Sequence, residues 1–355
     1  MPRVQRRVEF HCIDADKLLE RMNFSWSGTC RRQLVWQVRP AIVADVRVRQ
    51  PMTESPENSC CSILQVLRVR QWIKNGFVVA PLLFSGEFTE GRSCLLSLAA
   101  FLSFCAISSA IYAVNDLCDR AEDREHPEKR HRPIARGAVT TRQAVILSAV
   151  LAAFSLLLGF GLGMRVGVMV AIYAMVNVLY SLWLKHVAIL DVMIIAGGFV
   201  LRILAGAVAI DVVASHWLIL CTIMISMFLG FTKRRAEIVS AEGAGEHTRV
   251  VLKDYSVAFL DQAIAMVTGA TLVCYALYTV DPETMARFGN RTMLLTVPSV
   301  IFGLFRYIYI IYHQKGGQDP ARSVSRDIPM LVNLIIWVGL CLAVIGYGDQ
   351  ITRIL

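Results

Sequence analysis

Three aspartates, Asp116, Asp119 and Asp123, follow directly on Asn115 at the end of a long apolar run. At about 100° per residue, a helix would place all three on one face with Asn115 beside them. Like charges stacked in this way repel by a few tenths of a kcal/mol per pair, and aspartate is a poor helix former. Such a face invites a cation. Hard carboxylate oxygens suit Mg²⁺, which takes one or two carboxylates, several waters and the oxygens of a substrate phosphate. The plainer alternative is a solvated helix end whose acids pair with the arginines that follow, Arg120, Arg124, Arg130 and Arg132. His126 and His131 have no ligand spacing, and His126-Pro127 reads as a helix end.

The elements that must carry these acids belong to a membrane. Of 355 residues, 55% are hydrophobic, and mean hydropathy is +0.53. Soluble domains are about 45–50% apolar even with glycine counted. Apolar stretches at 74–88, 93–117, 142–162, 166–184, 188–210, 216–232, 257–280, 293–313 and 328–347 approach or exceed the roughly 20 residues that cross a bilayer. An all-α, multi-pass integral membrane protein is predicted. Pro81 falls inside the first stretch and Pro298 inside the eighth, which neighbouring helices can accommodate. The ten cysteines show neither CxxC nor Cys/His spacing, so neither a disulfide framework nor a zinc site is indicated.

Residues 1–65 differ from the rest. They are polar, arginine-rich and aperiodic, with Trp26 and Trp36 in no amphipathic pattern and no uninterrupted apolar core like that of a signal peptide. We read them as a disordered N-terminal extension ahead of a membrane domain at 66–355, in preference to a basic membrane-surface arm. Met52 opens an ordinary translation start, Met-Thr-Glu-Ser-Pro-Glu-Asn. The hypothesis that translation begins there is checked by the intact mass of the native product, and a mass beginning at Met1 overturns it.

The basic residues give the orientation. Arg68, Arg70 and Lys74 precede the first span. Arg120, Arg124, Lys129, Arg130, Arg132, Arg136 and Arg142 follow the second, and Lys185 follows the fourth. Lys233, Arg234, Arg235, Arg249 and Lys253 follow the sixth, and Lys315, Arg322 and Arg326 the eighth. The opposite loops carry Arg92, Arg165, Arg287 and Arg291. Lysine and arginine mark cytoplasmic loops, so the N-terminus and the aspartate face are expected in the cytoplasm and the C-terminus outside the inner (plasma) membrane. Acids and bases converging on one membrane face suit a Mg²⁺-complexed diphosphate, with metal on one flank and arginine forks and lysine charges on the others. As topology signals alone, the arginines leave the aspartate spacing unexplained. No P-loop is present, and Gly159, Gly161 and Gly163 read as close helix packing.

Within the apolar spans, Arg202 is a charge costly enough to mark function. Asp191 shares its helix face but lies about 16 Å away along the axis, too far for a direct pair. Arg202 is therefore left between a phosphate-proximal role and packing, and Asp191 is read as a cavity residue. Tyr180 and Lys185 fit either phosphate contacts or interfacial anchors, and Tyr307, Tyr309 and Tyr312 an interfacial belt.

Asn115-Asp116-x-x-Asp119-x-x-x-Asp123 resembles the first signature of the UbiA superfamily of intramembrane prenyltransferases. Tyr180-Ser181-Leu182-Trp183-Leu184-Lys185 resembles its tyrosine-to-lysine stretch after the fourth helix. Four segments are most similar to the superfamily's polyprenyl-phosphate (decaprenyl-phosphate) phosphoribosyltransferase branch. They are Arg68-x-Arg70-Gln71-Trp72-Ile73-Lys74-Asn75; Asp123-Arg124-Glu125-His126-Pro127-x-Lys129-Arg130-x-Arg132-Pro133-Ile134-Ala135; Leu201-Arg202-Ile203-Leu204-Ala205-Gly206; and Lys233-Arg234-Arg235-Ala236-Glu237. The resemblance covers about residues 66–347. It implies nine transmembrane helices around a central cavity that opens to the cytoplasm. The chain departs from the superfamily pattern after the sixth helix, where a second acidic motif is expected and only Glu237, with Asp254 further on, is acidic. That departure suits a donor diphosphate held by one aspartate cluster plus cations, and an acceptor ending in phosphate.

The resemblance implies a Mg²⁺-dependent transfer of a 5-phosphoribosyl group from phosphoribosyl diphosphate to a polyprenyl phosphate, supplying a lipid-linked pentose for cell-envelope glycan. Asp116, Asp119 and Asp123 would be the catalytic metal ligands. Asn115, Arg70, Lys74, Lys129, Arg130, Arg132, Tyr180, Lys185, Asp191, Arg202, Lys233, Arg234 and Glu237 would bind substrate. The partners implied are the two substrates and the bilayer, with no nucleic acid; a homo-oligomer is allowed. Two other functions are carried forward. One is prenyl transfer from a polyprenyl diphosphate to an aromatic acceptor in the same fold. The other is a non-enzymatic transporter or scaffold, against which the chain shows no convincing internal repeat.

Overall fold

The structure, a computed structural model, describes residues 59–125, 129–242, 252, 254–288, 290–313, 324 and 326–352. Trp26, Trp36, Met52, His126, Pro127, Arg249, Lys253, Lys315 and Arg322 lie outside them. Among the described residues every regular element is helical. This is the expected solution for apolar segments in lipid, where each backbone N–H and C=O must be bonded within its own segment.

In chain order, α1 (Ser59–Leu67) leads into a 3-10 segment (Val69–Val78) and a short α2 (Ala80–Ser85). The helix α1 opens ahead of the boundary expected at residue 66. Next come α3 (Gly91–Cys118), α4 (Arg120–Glu125), α5 (Thr141–Leu162), α6 (Met164–Leu182), α7 (Leu190–Ala209) and α8 (His216–Glu242). The chain continues with α9 (Val257–Val280), α10 (Pro282–Phe288), α11 (Val297–His313) and α12 (Ile328–Thr352). Seven of the described helices are long and apolar enough to cross a membrane: α3, α5, α6, α7, α8, α9 and the run Thr292–His313 that contains α11. The protein is an integral membrane protein.

Nine continuous spans are not what the described residues show. The first expected span is divided between the 3-10 segment and α2. Pro81 stands in the first turn of α2, where its missing N–H leaves no hydrogen bond unmade, and Gly86 at φ 83 closes that helix. Pro298 is likewise the second residue of α11. Both prolines begin helices instead of interrupting them. The last expected span lies in α12, whose apolar stretch, Ile328–Val344, is shorter than the other seven.

Small residues bring the helices together. Ser103 Oγ donates to the Ser155 carbonyl (2.9 Å) and Ser155 Oγ to the Ser103 carbonyl (2.7 Å), pinning α3 to α5. A Cβ on Gly159 would lie 3.3 Å from Val170 Cγ2 and 3.4 Å from Gly167 Cα, so Gly159 serves close packing of α5 on α6, whereas a Cβ on Gly161 or Gly163 would meet nothing within 4 Å. Thr140 and Gln143 form a reciprocal capping box that starts α5. At Gly206 in α7 a Cβ would fall 1.9 Å from the Val78 carbonyl oxygen, so only glycine lets the 3-10 segment lie there. One core joins that segment to α3, α6 and α7 through Val78, Phe104, Ile107, Val170, Tyr173 and Ala205. A second joins α7 to α8, α9 and α11 through Val192, Phe228, Phe231, Leu260, Ile264 and Tyr307. Outside these cores, large apolar side chains such as Leu95, Leu157, Met266 and Ile335 are exposed, which is the surface a bilayer covers.

Candidate active site

The acidic motif does not form one straight helix. Helix α3 stops at Asp119 (φ −85, ψ 6), and α4 resumes at Arg120. Asp116 and Asp123, each only 3% exposed, meet on a single guanidinium nitrogen. Arg132 Nη1 donates to Asp116 Oδ1 at 3.0 Å and to Asp123 Oδ2 at 2.7 Å. Arg68 Nη2 donates to the same Asp116 oxygen. Arg68 holds a left-handed backbone (φ 50, ψ 46) between α1 and the 3-10 segment, and its guanidinium lies 4.9 Å from the Tyr112 ring, one turn before Asp116. The loop that returns Arg132 to the acids is anchored by buried Ile134, Ala135 and Val139 and by Arg124 Nε on the Ala135 carbonyl (2.9 Å).

Asp119 is half-buried and joins neither pair, so two of the three expected acids converge and the third stands apart. Among the described residues no group of three or more His, Cys, Asp or Glu side chains is assembled for a metal. The donor set still fits Mg²⁺, because two buried carboxylates close enough to share one cation are what that ion needs from a protein.

A second cluster gathers around Arg234, which is 2% exposed. Its Nε donates to Asp191 Oδ2 (2.7 Å), its Nη1 to Glu237 Oε2 (2.6 Å) and its Nη2 to Tyr180 Oη (3.3 Å). Tyr255 Oη donates to the other Asp191 oxygen (2.7 Å) and accepts from the backbone N–H of Ile189, a β-branched residue held at φ 68. Burial, and then the hydrogen bond to the Asp191 carboxylate, push the Tyr255 hydroxyl well above its ordinary pKa. It therefore stays protonated as a donor.

Consecutive residues at the end of α6 join the two clusters. Tyr180 touches Arg234, and Ser181 Oγ lies 2.9 Å from Asn115 Oδ1. Ser181 also donates to the Asn177 carbonyl (2.8 Å). Of the expected site residues, the structure thus brings together Asn115, Asp116, Asp123, Arg132, Tyr180, Asp191, Arg234 and Glu237. Arg70 and Arg130 are exposed, while Lys74, Lys129, Lys185 and Lys233 are half-buried. Arg202 joins neither cluster. Its three nitrogens go to Asn75, Gly198 and Tyr173, and the true partner of Asp191 is Arg234. Sequence reasoning missed Arg68, Ser181 and Tyr255 as site residues. Arg68 and Ser181 sit inside quoted motifs, whereas Tyr255 carries no sequence signal beyond following a polar loop.

The description UbiA prenyltransferase family matches residues 78–345 of this chain. The chain belongs to that family. A decaprenyl-phosphate phosphoribosyltransferase of Mycolicibacterium smegmatis is 32% identical over 300 residues, 82% of this chain and 94% of the relative. One of Corynebacterium glutamicum is 31% identical over 83% of this chain and 89% of the relative. A UbiA homolog from Archaeoglobus fulgidus, solved with GPP and Mg²⁺, shares the fold. Its TM-score is 0.59 at 17% identity, over 80% of this chain and 99% of that one. Membership makes this UbiA-family protein a membrane-embedded transferase.

The two clusters carry different loads. Asp191→Asn leaves Arg234 buried with half its counter-charge, and breaking such a pair costs about 3–5 kcal/mol. Asp119→Asn touches neither cluster and should cost within about 0.5 kcal/mol. Melting of the detergent-solubilised variants checks this, and equal melting temperatures would contradict the assigned pairings.

Proposed function

We propose that the protein transfers the 5-phosphoribosyl group of phosphoribosyl diphosphate to a polyprenyl phosphate, decaprenyl phosphate in this reading, and releases diphosphate. The observation that carries the reading is identity of about 30% to decaprenyl-phosphate phosphoribosyltransferases over nearly their whole length. The site supports it. The pair of buried acids that a metal would use is held by Arg132 and Arg68, whose guanidiniums would turn to the diphosphate once a metal took their place. The acids of the second cluster answer to Arg234, so the charge around a diphosphate would come mainly from arginines.

In this reading Asp116 and Asp123 hold Mg²⁺, with Asn115 oriented beside them by Ser181 and Asp119 at the rim. Bound Mg²⁺ supplies Lewis-acid stabilisation of the leaving diphosphate. Arg68 and Arg132, already at the carboxylates, offer forked N–H donors to phosphate oxygens, and Lys74, Lys129 and Arg130 add charge. The bond between the anomeric carbon and the diphosphate oxygen breaks, and its electron pair leaves with diphosphate. An oxygen of the polyprenyl phosphate then forms the new bond to that carbon. The acceptor phosphate is anionic near neutral pH, so no strong general base is required. In this reading the chemistry takes place on the cytoplasmic side of the plasma membrane, the side that lysine- and arginine-rich loops favour. The product is a lipid-linked pentose.

A second reading, prenyl transfer to an aromatic acceptor, is supported by membership of the UbiA prenyltransferase family. Membranes carrying the protein, given Mg²⁺, labelled phosphoribosyl diphosphate and decaprenyl phosphate, should yield a labelled lipid. Labelled prenyl 4-hydroxybenzoate from a parallel assay, without the labelled lipid, would replace the first reading with the second. Asp116→Asn and Asp123→Asn should each lower the transfer rate by more than about 100-fold, since metal stabilisation of a leaving group contributes several kcal/mol. Normal turnover in either variant would sink the assignment.

A further inference from the structure

The 3-10 segment Val69–Val78 runs for ten residues, whereas 3-10 runs beyond three or four residues are uncommon and need outside support. It carries Lys74 and begins beside Arg68, so its position decides where these two cations stand. Several contacts hold it, among them Ser108 Oγ on Asn75 Oδ1 (3.4 Å) and the Phe77 ring on Phe199. Trp72 Nε1 donates to Ser109 Oγ at 3.0 Å. The Val78 carbonyl rests against Gly206. Between them Asn75, 1% exposed, is held at both ends of its amide. Its Nδ2 donates to Cys105 Sγ (3.3 Å), and its Oδ1 accepts from Arg202 Nε (2.8 Å).

Arg202 is 6% exposed and, among the described residues, bonds only neutral groups. Besides Asn75 it reaches the Gly198 carbonyl (2.9 Å) and Tyr173 Oη (2.7 Å). The Tyr173 and Phe199 rings lie 4.6 and 5.2 Å from its guanidinium carbon. A charge in a membrane span is expensive, and a fork spent on three protein acceptors and flanked by rings is not presented to a ligand. The Leu201–Gly206 stretch is then explained as a dock, in which Arg202 grips Asn75 and, one turn on, Gly206 admits the Val78 carbonyl.

We propose that Arg202 is a positioning residue that acts through Asn75 to set the 3-10 segment, and with it Arg68 and Lys74, against the donor's phosphates. The part concerning donor phosphates rests on the phosphoribosyl-transfer reading; the docking does not. Two measurements on full-length protein in detergent or nanodiscs test it. In Arg202→Met and in Asn75→Ala, amide hydrogen exchange should quicken across 69–78 while α5 and α9 keep wild-type protection. Wild-type exchange at 69–78 in both variants would overturn the docking whatever the enzyme's substrate.

In the transfer assay both variants should raise the KM for phosphoribosyl diphosphate by roughly 10-fold or more, the worth of one hydrogen bond to a charged group. The KM for decaprenyl phosphate should stay within about twofold, a split that general destabilisation would not produce. The effect of the double variant should fall well short of the product of the two single effects, because the contact between Arg202 and Asn75 is lost in both. Arg202→Lys should not rescue, since a point charge cannot span three acceptors. Multiplying effects, or rescue by lysine, would overturn action through Asn75 and favour direct contact of Arg202 with a ligand. If exchange quickens as expected but wild-type protein makes no labelled lipid, the docking stands and the phosphoribosyl reading fails.

Discussion

Charge removed from water needs a counter-charge close by, and Asp116 and Asp123 find theirs in one nitrogen of Arg132. Much of the local backbone follows from that requirement. Helix α3 stops at Asp119, and α4 carries Asp123 to the same guanidinium nitrogen that Asp116 meets. The loop after α4 has to return Arg132 to the acids, and buried Ile134 and Val139 hold it there. Arg68 has to leave α1 through a left-handed residue, a conformation non-glycine residues seldom adopt. A buried ion cluster of this kind is weak evidence for stability, because desolvation offsets most of the Coulomb attraction. Its value lies in holding acids and bases together where a metal and a diphosphate could both be met.

The second cluster applies the same physics to a different end. Arg234 lies between Asp191 and Glu237, so its acids are neutralised within the protein. Tyr180 and Ser181, adjacent on α6, reach one cluster each. Movement of α6 would thus be felt by both clusters. The scaffold around them is held by the Ser103–Ser155 pair and by glycine contacts together with large buried side chains such as Phe104, Phe228 and Tyr307, and small residues at the contacts suit helices whose outer faces meet lipid.

Much of this was legible in the sequence, and the reasons differ by residue. The helical membrane class follows from long apolar runs. That Asp116 and Asp123 share a face follows from helix spacing, but the same spacing puts Asp119 beside them, and the structure sets it apart from their shared arginine. The exclusion of an Asp191–Arg202 pair follows from helix rise alone. The break at Asp119 was not legible, because propensity cannot see the tertiary pull of Arg132. The 3-10 form of residues 69–78 was equally hidden, since it depends on Gly206 of a distant helix accepting a carbonyl. The partner of Asp191 came from forty-three residues away, beyond the reach of any periodicity argument.

In the proposed reaction the Asp116–Asp123 pair grips a metal bound to the donor's diphosphate. Mn²⁺ can stand in for Mg²⁺, and pulsed electron-nuclear spectroscopy reads its coupling to phosphorus directly. With phosphoribosyl diphosphate present, wild-type protein should show protein-bound Mn²⁺ coupled to phosphorus, and the Asp116→Asn, Asp123→Asn double variant should lose that signal. Phosphorus-coupled Mn²⁺ bound at undiminished strength to the double variant would contradict the account.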